Sequence, residues 1–358
     1  MKREELLFDR PSALDATRPP EDRGLARDEV AMLVSDARGD RDARFRDLPS
    51  LLAAGDLLVV NASATVPASL PAHGEAGPFR VHLSTRYSKR LWLAEPRWSD
   101  ARPGPLPLAA GATFDLAGVP TRVVAEYPGI PRLWFLAPSR PIERAMAATG
   151  RPIRYGYLDR DYPLERYQTV FAQVPGSAEM PSAGRPFSAT VLDALAARGV
   201  HWAPIVLHTG VSSLELTTPT VEEAVLYPEP FHVPERTVRA IEATHARGGR
   251  VIAVGTTVVR ALESAWDGHR LVSRRGFTRV YVRPGRPPRS FDGLLTGFHD
   301  SATTHLALLY AVAGADVVRR AYRTAVDRGY RWHEFGDVHL FLPRDRVGST
   351  ASCSRTAS

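Results

Sequence analysis

The hydrophobic pattern of the chain changes twice, and these changes constrain the fold more than any other feature of the sequence. Between residues 71 and 157 the apolar residues form short β-rich pieces separated by glycine and proline: FRVHLS, RLWLAE, ATFDLA, TRVVAEY and RLWFLAP. Their spacing is typical of a small barrel or sandwich. The flanking blocks, residues 45–70 and 158–342, alternate strand and helix patterns instead. We therefore predict one α/β domain that is interrupted by a separate β domain.

Three segments of the flanking blocks predict individual elements. The run DLLVVNAS from Asp56 is continuously apolar, which is typical of a strand buried on both faces, and Asn61 lies at its exit. Ser188 is placed to cap a helix that ends at Gly199. The apolar residues of segment 235–249 recur with helical spacing, and paired glycines end that helix before the strand RVIAVG.

Both ends of the chain lack this periodicity. Residues 1–25 are rich in proline, aspartate and arginine and are expected to be loose or docked as an extended arm, while residues 346–358 are expected to form a disordered tail. The main domain is thus predicted to comprise residues 1–70 plus 158–345, and the inserted domain residues 71–157. The N-terminus MKREELLFDRP does not resemble a signal peptide, and no 18 apolar residues run together. We therefore expect a cytoplasmic protein without a membrane segment.

Composition and charge exclude several kinds of chemistry. With 358 residues, 44% of them hydrophobic and 24% charged, the chain can bury a full core. Its net charge of +7 favours an anionic partner such as nucleic acid. Lysine occurs only at Lys2 and Lys89, and neither is placed for a P-loop or a Schiff base. The single Cys353 excludes an internal disulfide and thiolate clusters, and the histidines lack metal-ligand spacing, so we predict no metal site.

The segment VGTTVVRALES joins a predicted strand to a predicted helix. Gly255 allows a ligand to approach closely, and a hydroxyl of Thr256 or Thr257 is expected to cap the helix. The free N–H groups of the helix start suit a carboxylate, ribose or phosphate, at the sheet edge where α/β folds bind ligands. The alternative is an ordinary tight turn with a threonine cap, in which Arg260 and Glu263 simply pair on one helix face.

A long loop, YQTVFAQVPGSAEMPSAGRPFS, runs from Tyr167 to Ser188. Loops of this length generally bind a ligand or are disordered, and binding is favoured here because the loop leads directly into a helix. Ser182, Ala183 and Gly184 could present backbone donors to that ligand.

Two histidines lie at predicted site edges. His208 ends the predicted strand APIVLH and His299 follows the apolar run FDGLLTGFH, so each can act as a donor, acid or base, or equally as a packing residue. His245 and His305 lie within helical patterns and are expected to be structural. The segment RRAYRTAVDRGYR (319–331) could follow a phosphate backbone, although such a run is more often a solvated helix face.

The chain resembles the S-adenosylmethionine:tRNA ribosyltransferase-isomerases of queuosine synthesis in six stretches that follow one another in order: GDLLVVNASATVPASL, RYQTVFAQVPG, PSAGRPF, GGRVIAVGTTVVRALES, FDGLLTGFH and FGDVHLFL. The resemblance covers most of residues 50–342. It implies a barrel-like α/β main domain with an inserted small β-barrel. It also implies transfer and isomerisation of the ribosyl part of S-adenosylmethionine onto 7-aminomethyl-7-deazaguanine in a tRNA anticodon stem-loop. Adenine and methionine are released, without a metal or a permanently bound cofactor, and we expect a monomer.

The resemblance also implies roles for individual residues. The acid–base candidates are His208, His299, Glu229 and Asp337. The cosubstrate, with its methionine carboxylate at the helix N-terminus, is expected to contact Gly255, Thr256, Thr257 and Arg260. The remaining pocket residues are expected to be Asn61, Tyr167, Gln168, Ser182, Ala183, Gly184 and Phe187.

The matching stretches depart from the family pattern at positions that can contact anions. Ala64, Ser69 and Ala302 stand where the family has two arginines and a lysine. An aspartate and two histidines of the family are replaced by Ala62, Pro186 and Tyr227. Each lost phosphate contact weakens a largely electrostatic complex. Three functions therefore stay open: a tRNA ribosyltransferase-isomerase, a paralogue that uses S-adenosylmethionine on a small-molecule acceptor, and a non-catalytic nucleoside- or RNA-binding protein.

Overall fold

The computed structural model describes residues 1–75, 77–99, 102–211 and 215–342. The predicted tail, residues 346–358, and the last residues assigned to the main domain lie outside this part of the chain. Among the described residues, no helix has the length and apolar character needed to cross a bilayer.

The described residues contain strands, α-helices and short 3-10 turns. The strands are β1 (Ala31–Ser35), β2 (Asp40–Arg44), β3 (Leu57–Asn61), β4 (Ser63–Thr65), β5 (Ser69–Gly74), β6 (Gly77–Ser88), β7 (Leu91–Ser99), β8 (Arg102–Pro105), β9 (Thr113–Leu116), β10 (Val119–Glu126), β11 (Trp134–Pro138), β12 (Val174–Ser177), β13 (His201–Leu207), β14 (Glu229–Val233), β15 (Val251–Val254), β16 (Arg274–Thr278), β17 (Gly293–Gly297) and β18 (Val338–Phe341). The helices are α1 (Leu48–Leu51), α2 (Glu143–Thr149), α3 (Ala189–Ala197), α4 (Glu235–Ala246), α5 (Thr256–Ser264), α6 (Thr304–Ala313) and α7 (Ala315–Asp327).

A mixed nine-stranded sheet forms the main body, in the order β16-β14-β13-β3-β15-β17-β18-β1-β2. Its central strand β3 lies between the parallel strands β13 and β15, with Val59 opposite both Ala203 and Ala253. Successive residues of β3 pack on opposite faces, since Val59 belongs to one apolar core and Leu58 and Val60 belong to the other. This two-sided burial explains the continuous apolar run and confirms the predicted strand.

Helices cover both faces of the main sheet. Apolar residues of α4 to α7 pack in the core of one face, and residues of α3 pack in the core of the other. The predicted cap of α3 is confirmed, because the Ser188 hydroxyl accepts the Val191 N–H at 3.2 Å. The predicted threonine cap of α5 is wrong. The N-cap residue is Gly255, which has no side chain, and Thr256 and Thr257 are already helical.

Strands β5 to β11 form the inserted β structure. β5, β6, β7, β11, β10 and β9 close into a barrel, because β11 pairs with β7 and β9 pairs with β5, and β8 extends the sheet beyond β7. Buried and less buried residues alternate along β10, where Val119, Thr121 and Val123 are buried. Alternation of this kind fills the interior of a small barrel. The prediction of an α/β fold with an inserted β-barrel is confirmed.

The barrel is attached to the main body by backbone pairing and by packing. β4, which precedes the barrel in the chain, pairs in parallel with β12, which follows it, and Ser63 lies opposite Val174. The barrel core also includes Ala178, Val211 and Tyr227 from the main body. The two parts therefore share a packed boundary along which a cavity can form.

The N-terminal residues dock on the main body as a series of 3-10 turns, at Arg3–Leu6, Ser12–Leu14 and Pro20–Arg23. Leu6 is fully buried, and the Trp332 N–H donates to the Leu14 carbonyl at 2.9 Å. Of the two alternatives for this segment, the structure shows the docked one, in a turn-rich rather than an extended form.

Candidate functional site

A cavity of about 630 Å³ opens at the carboxyl ends of the parallel strands β15 and β17. Four groups of residues supply most of its wall: 255–257 at the start of α5, 178–183 in the long loop, 296–305 after β17, and residues 152–157 together with 333–334. Small-molecule sites in proteins have volumes of about 300–1,000 Å³. Because α/β folds bind ligands at this sheet edge, the cavity is the candidate site.

The start of α5 presents backbone donors to the cavity. Gly255 has φ +96°, a conformation that favours glycine, and its N–H donates to the Leu295 carbonyl at 2.7 Å. A Cβ atom on Gly255 would lie 3.4 Å from the Cβ of Ala183, so glycine permits the close approach of the long loop. Thr256 and Thr257 line the cavity, and the first N–H groups of a helix lack intrahelical partners. This end of α5 therefore favours an anionic group.

The long loop contributes Tyr167, Ser182 and Ala183 to the cavity wall. Tyr167 is 4% exposed, and burial raises its pKa to about 12, so its hydroxyl stays neutral. Gly184, in contrast, donates its N–H to the Pro181 carbonyl at 3.0 Å within a 3-10 turn. Its backbone donor is therefore committed to the loop itself and not to the cavity.

Two other loop residues fix the loop from behind the cavity wall. The Gln168 side-chain amide accepts the Thr65 N–H at 3.1 Å and donates to the Thr65 carbonyl at 2.8 Å, which ties the loop to β4. Phe187 is fully buried and packs edge-on against Phe45 and Phe171. Both residues position the loop and do not line the cavity.

His299 lies in the cavity wall directly after β17. Its Nε2 is 3.0 Å from the Thr296 hydroxyl, and its ring centroid is 4.9 Å from that of His305, which also lines the cavity. Burial lowers the pKa of His299 to about 4 and also lowers that of His305, so both imidazoles are neutral at pH 7. A neutral imidazole carries one N–H and one lone pair and can accept a proton.

Two stacked tyrosines, a histidine and two glutamates form one wall of the cavity, which the sequence analysis did not predict. The rings of Tyr155 and Tyr157 stack with centroids 5.8 Å apart, and Tyr157 stacks in turn on His333 at 3.9 Å. The Tyr155 hydroxyl donates to Glu179, and the Tyr157 hydroxyl donates to Glu334. All five residues line the cavity. The alternating tyrosines of the segment RYGY were the sequence signal that could have indicated this wall.

His208 and Asn61 lie behind the cavity wall. The His208 Nδ1 is 2.8 Å from the Ser63 hydroxyl, and burial lowers the pKa of this histidine. The Asn61 amide donates to the Leu207 carbonyl at 2.9 Å and to the Thr257 hydroxyl at 3.3 Å, and it accepts the Leu207 N–H at 3.1 Å. Asn61 therefore joins β3 to β13 and orients a threonine of the cavity wall.

The two predicted acids also lie away from the cavity. Glu229 forms a buried ion pair with Arg260 and accepts the Gly210 N–H at 2.7 Å. Asp337 accepts two backbone N–H groups, at 2.8 and 2.7 Å, and burial raises its pKa. The sequence-predicted residues that the structure brings together around the cavity are Tyr167, Ser182, Ala183, Gly255, Thr256, Thr257 and His299.

Two arginines of the basic segment 319–331 pair with carboxylates of the chain itself. Arg320 contacts Asp40 at 3.1 Å and Arg328 contacts Asp42 at 2.9 Å. These pairs favour the solvated helix face over a phosphate-binding surface.

Comparison with known proteins identifies the family. A family model described as queuosine biosynthesis protein matches residues 3–341. The chain belongs to this family. A relative from Anaeromyxobacter sp. (strain Fw109-5) is 37% identical over 358 residues, which cover 96% of this chain and 100% of the relative. A relative from Acidithiobacillus ferrooxidans is 38% identical over 96% of this chain and 99% of its own length. Both are named S-adenosylmethionine:tRNA ribosyltransferase-isomerase.

A solved member of the family has the same architecture. The crystal structure of the S-adenosylmethionine tRNA ribosyltransferase from Thermotoga maritima matches with a TM-score of 0.53 and 27% sequence identity. The match covers 94% of this chain and 100% of that one. The resemblance to this queuosine biosynthesis family is thereby confirmed.

The positions that depart from the family pattern do not belong to the cavity wall of this protein. The described residues that line the cavity include none of the six substituted positions: Ala62, Ala64, Ser69, Pro186, Tyr227 and Ala302. At one of them a cation lies within hydrogen-bond distance, since the Arg80 guanidinium donates to the Ser69 hydroxyl at 2.8 Å. Tyr227 is buried in the core of the barrel.

Proposed function

We propose that this protein is an S-adenosylmethionine:tRNA ribosyltransferase-isomerase. It would transfer and isomerise the ribosyl part of S-adenosylmethionine onto 7-aminomethyl-7-deazaguanine in tRNA and release adenine and methionine. The observation that carries the proposal is the family match over residues 3–341, together with a cavity whose 630 Å³ volume suits a nucleoside. The relatives that match over nearly their full length carry the name of this activity.

In this proposal the start of α5 binds the methionine carboxylate of the cosubstrate. The N–H groups of Thr256 and Thr257 lie at the positive end of the helix, in the cavity wall. Asn61 supports this contact from behind, because its amide donates to the Thr257 hydroxyl. Ser182, Ala183 and Tyr167 line the same cavity and would complete the cosubstrate pocket.

We assign proton transfer in the cavity to His299. The attacking amine loses a proton as its nitrogen bonds to the ribosyl carbon and the carbon–sulfur bond of the sulfonium breaks, which releases methionine. In the isomerisation to an epoxycyclopentane, the bond between the ribosyl carbon and adenine breaks while a new carbon–carbon bond closes the ring and a carbon-bound proton is lost. Adenine gains a proton as it leaves as a neutral base, so the whole reaction releases one proton to solvent. A neutral His299, held by Thr296, can accept the first proton and return it to adenine.

The remaining predicted residues act as positioning residues in this proposal. Glu229 and Arg260 hold α5 against β14, and Asp337 fixes the backbone ahead of β18. His208, Gln168, Gly184 and Phe187 hold the long loop and its neighbours in place, and none of them lines the cavity. Substituting any of these residues is expected to lower activity indirectly, by displacing the residues that line the cavity.

The proposal extends to partners and location. The net charge of +7 supports an anionic macromolecular substrate, here a tRNA anticodon stem-loop. S-adenosylmethionine is a consumed cosubstrate, and no permanently bound cofactor is assigned. We further propose a monomeric, cytoplasmic protein in which residues 71–157 are the inserted domain and residues 1–70 plus 158–345 are the main domain.

The test is to incubate the protein with S-adenosylmethionine, with and without tRNA that carries the deazaguanine precursor, and to follow adenine, methionine and the modified nucleoside by mass spectrometry. Modified tRNA supports the proposal. Adenine release with a small-molecule acceptor and without tRNA supports a paralogue with another acceptor, and binding without turnover supports a non-catalytic protein.

A matched pair of variants tests the assignment of His299. His299→Asn is expected to lower the rate of adenine release by about 10²–10⁴-fold. His269→Asn changes an exposed histidine and is expected to leave the rate unchanged.

A further inference from the structure

Two tyrosine–carboxylate pairs stand side by side in one wall of the cavity, which we call the tyrosine wall. Tyr155 with Glu179 forms one pair, and Tyr157 with Glu334 forms the other. The tyrosine rings are nearly parallel, at 12°. Each hydroxyl donates to its carboxylate, so the wall presents the acceptor oxygens of two acids and the edges of two stacked rings.

The backbone around Glu334 is held in a strained conformation that places this residue at the cavity. His333 has φ +72°, which is uncommon outside glycine. Its Nε2 lies 2.9 Å from Asp15, and its ring is stacked at 7° on Tyr157. A Cβ atom on Gly336 would lie 2.5 Å from the Arg331 carbonyl, so the turn after Glu334 tolerates only glycine. Strain of this kind persists where surrounding contacts impose it, and it concentrates at functional sites.

The electrostatics of the tyrosine wall favour a cation. Burial raises the pKa of Glu334 to about 7, so a positive ligand that enters the cavity would stabilise its ionised form. The nearby Arg10 does not supply that charge, because its guanidinium pairs with Asp15 and with Asp300, the latter at 2.9 Å. His333 is held beside these groups, and burial lowers its pKa, so it is neutral at pH 7.

We propose that the tyrosine wall recognises the positive charge of the cosubstrate's sulfonium, with Glu334 as the residue that distinguishes the sulfonium from a neutral thioether. The inference rests on the proposed function, since it concerns how the same cavity holds S-adenosylmethionine. Carboxylates attract organic cations, and the attraction strengthens when water is excluded. The helix start of α5 would hold the carboxylate of the same ligand, so the two opposite charges of the cosubstrate would contact two different parts of the cavity wall.

The two charge-recognising sites make different demands on the ligand. S-adenosylhomocysteine has the shape of S-adenosylmethionine without its methyl group and positive charge, and it retains the carboxylate. The α5 end should therefore bind both compounds alike. The tyrosine wall should prefer S-adenosylmethionine. The methionine that the reaction releases has an uncharged sulfur and should therefore leave the tyrosine wall readily.

Titration calorimetry of the full-length protein with both nucleosides tests the inference at pH 8, where Glu334 is ionised. The wild-type protein is expected to prefer S-adenosylmethionine. Glu334→Gln removes the charge but keeps the shape and an acceptor for the Tyr157 hydroxyl, and it is expected to reduce the preference about tenfold. Tyr157→Phe is expected to reduce it by a smaller factor.

Glu215→Gln is the matched control. Glu215 also lines the cavity, but its side chain is 72% exposed and pairs with Arg3 at the rim. This variant removes the same charge from a position where water screens it, and the preference for the sulfonium is expected to stay unchanged.

The outcomes separate the inference from the proposed function. If the wild-type protein binds neither nucleoside, the proposed function fails and the inference fails with it. If both bind and Glu334→Gln keeps the wild-type preference, the inference is overturned while the proposed function stands. An equal loss of preference in Glu334→Gln and Glu215→Gln would also overturn it, since the effect would then arise from the overall charge of the cavity.

Discussion

Replacing Arg260 by methionine is expected to destabilise the protein by about 3–5 kcal/mol, the usual cost of breaking a buried ion pair. The side chains of Arg260 and Glu229 are 9% and 2% exposed, so the remaining carboxylate would be buried without its cation. Methionine fills most of the vacated volume, which keeps the cost of a cavity small. The pair joins α5, whose start lines the cavity, to β14, so its loss should also reduce the affinity for S-adenosylmethionine.

Urea denaturation followed by circular dichroism measures this effect at pH 7. The double variant Glu229→Gln/Arg260→Met should be more stable than Arg260→Met alone, because a buried neutral amide costs less than a buried charge. Arg239→Met is the control. It breaks an exposed pair with Glu235, 67% and 68% exposed, and should cost less than about 0.5 kcal/mol.

Two results would refute this reasoning. The first is a stability of Arg260→Met within about 1 kcal/mol of the wild-type protein. The second is a double variant whose loss of stability equals the sum of the losses measured for Arg260→Met alone and for Glu229→Gln alone. Additivity of this kind indicates that the two side chains do not interact.

Three further predictions concern the cavity and the buried histidines. Thr256→Val removes a hydroxyl from the cavity wall but keeps the backbone N–H, and it should weaken binding of S-adenosylmethionine about three- to tenfold by calorimetry. An unchanged affinity would remove the Thr256 hydroxyl from the binding site. Asn61→Ala should cost about 2–4 kcal/mol in urea denaturation, because it leaves the Leu207 backbone groups without their partner. The folded pKa values of His299 and His339, about 4 and about 3, lie below the unfolded value. The contribution of each histidine to the free energy of unfolding is therefore fully present above pH 6.5 and falls by about 1.4 kcal/mol per pH unit below it. A urea denaturation midpoint that is constant from pH 6.5 to 4.5 would contradict this.

Elements that depend on local pattern could be predicted from the sequence. Helix α4 was predicted from apolar spacing and the glycines after it, and β3 from its continuous apolar run. Both signals arise because the residues of a helix or strand that face the core recur at a regular spacing in the sequence. The threonine cap of α5 could not be predicted correctly, because the position of the first helical residue depends on where Gly255 turns the chain and not on the presence of a hydroxyl.

Within the candidate site, the sequence indicated the residues that follow strand ends, such as Thr256 and His299. It did not indicate the tyrosine wall, because Tyr157 and Glu334 are brought together by tertiary packing across the long separation between them in the chain. It also placed Glu229 among the acid–base residues, whereas the structure pairs this carboxylate with Arg260. A sequence shows which residues could act as acids, bases or ligands, but the side chains that each of them contacts depend on the fold.

The division into domains stays a prediction. The barrel strands β5 to β11 span Ser69–Pro138, which largely overlaps the predicted insertion, residues 71–157. The core of the barrel, however, also includes residues of the main body. Expression of residues 71–157 alone, followed by circular dichroism, would test whether this segment folds independently.

We propose that the cavity between α5, the long loop and the tyrosine wall is the binding site of S-adenosylmethionine. A crystal structure of the protein with this nucleoside bound is the decisive test. We expect the carboxylate at the N–H groups of Thr256 and Thr257 and the sulfonium beside Tyr157 and Glu334. Density for the ligand at another place, or an unliganded cavity at saturating concentration, would contradict the claim.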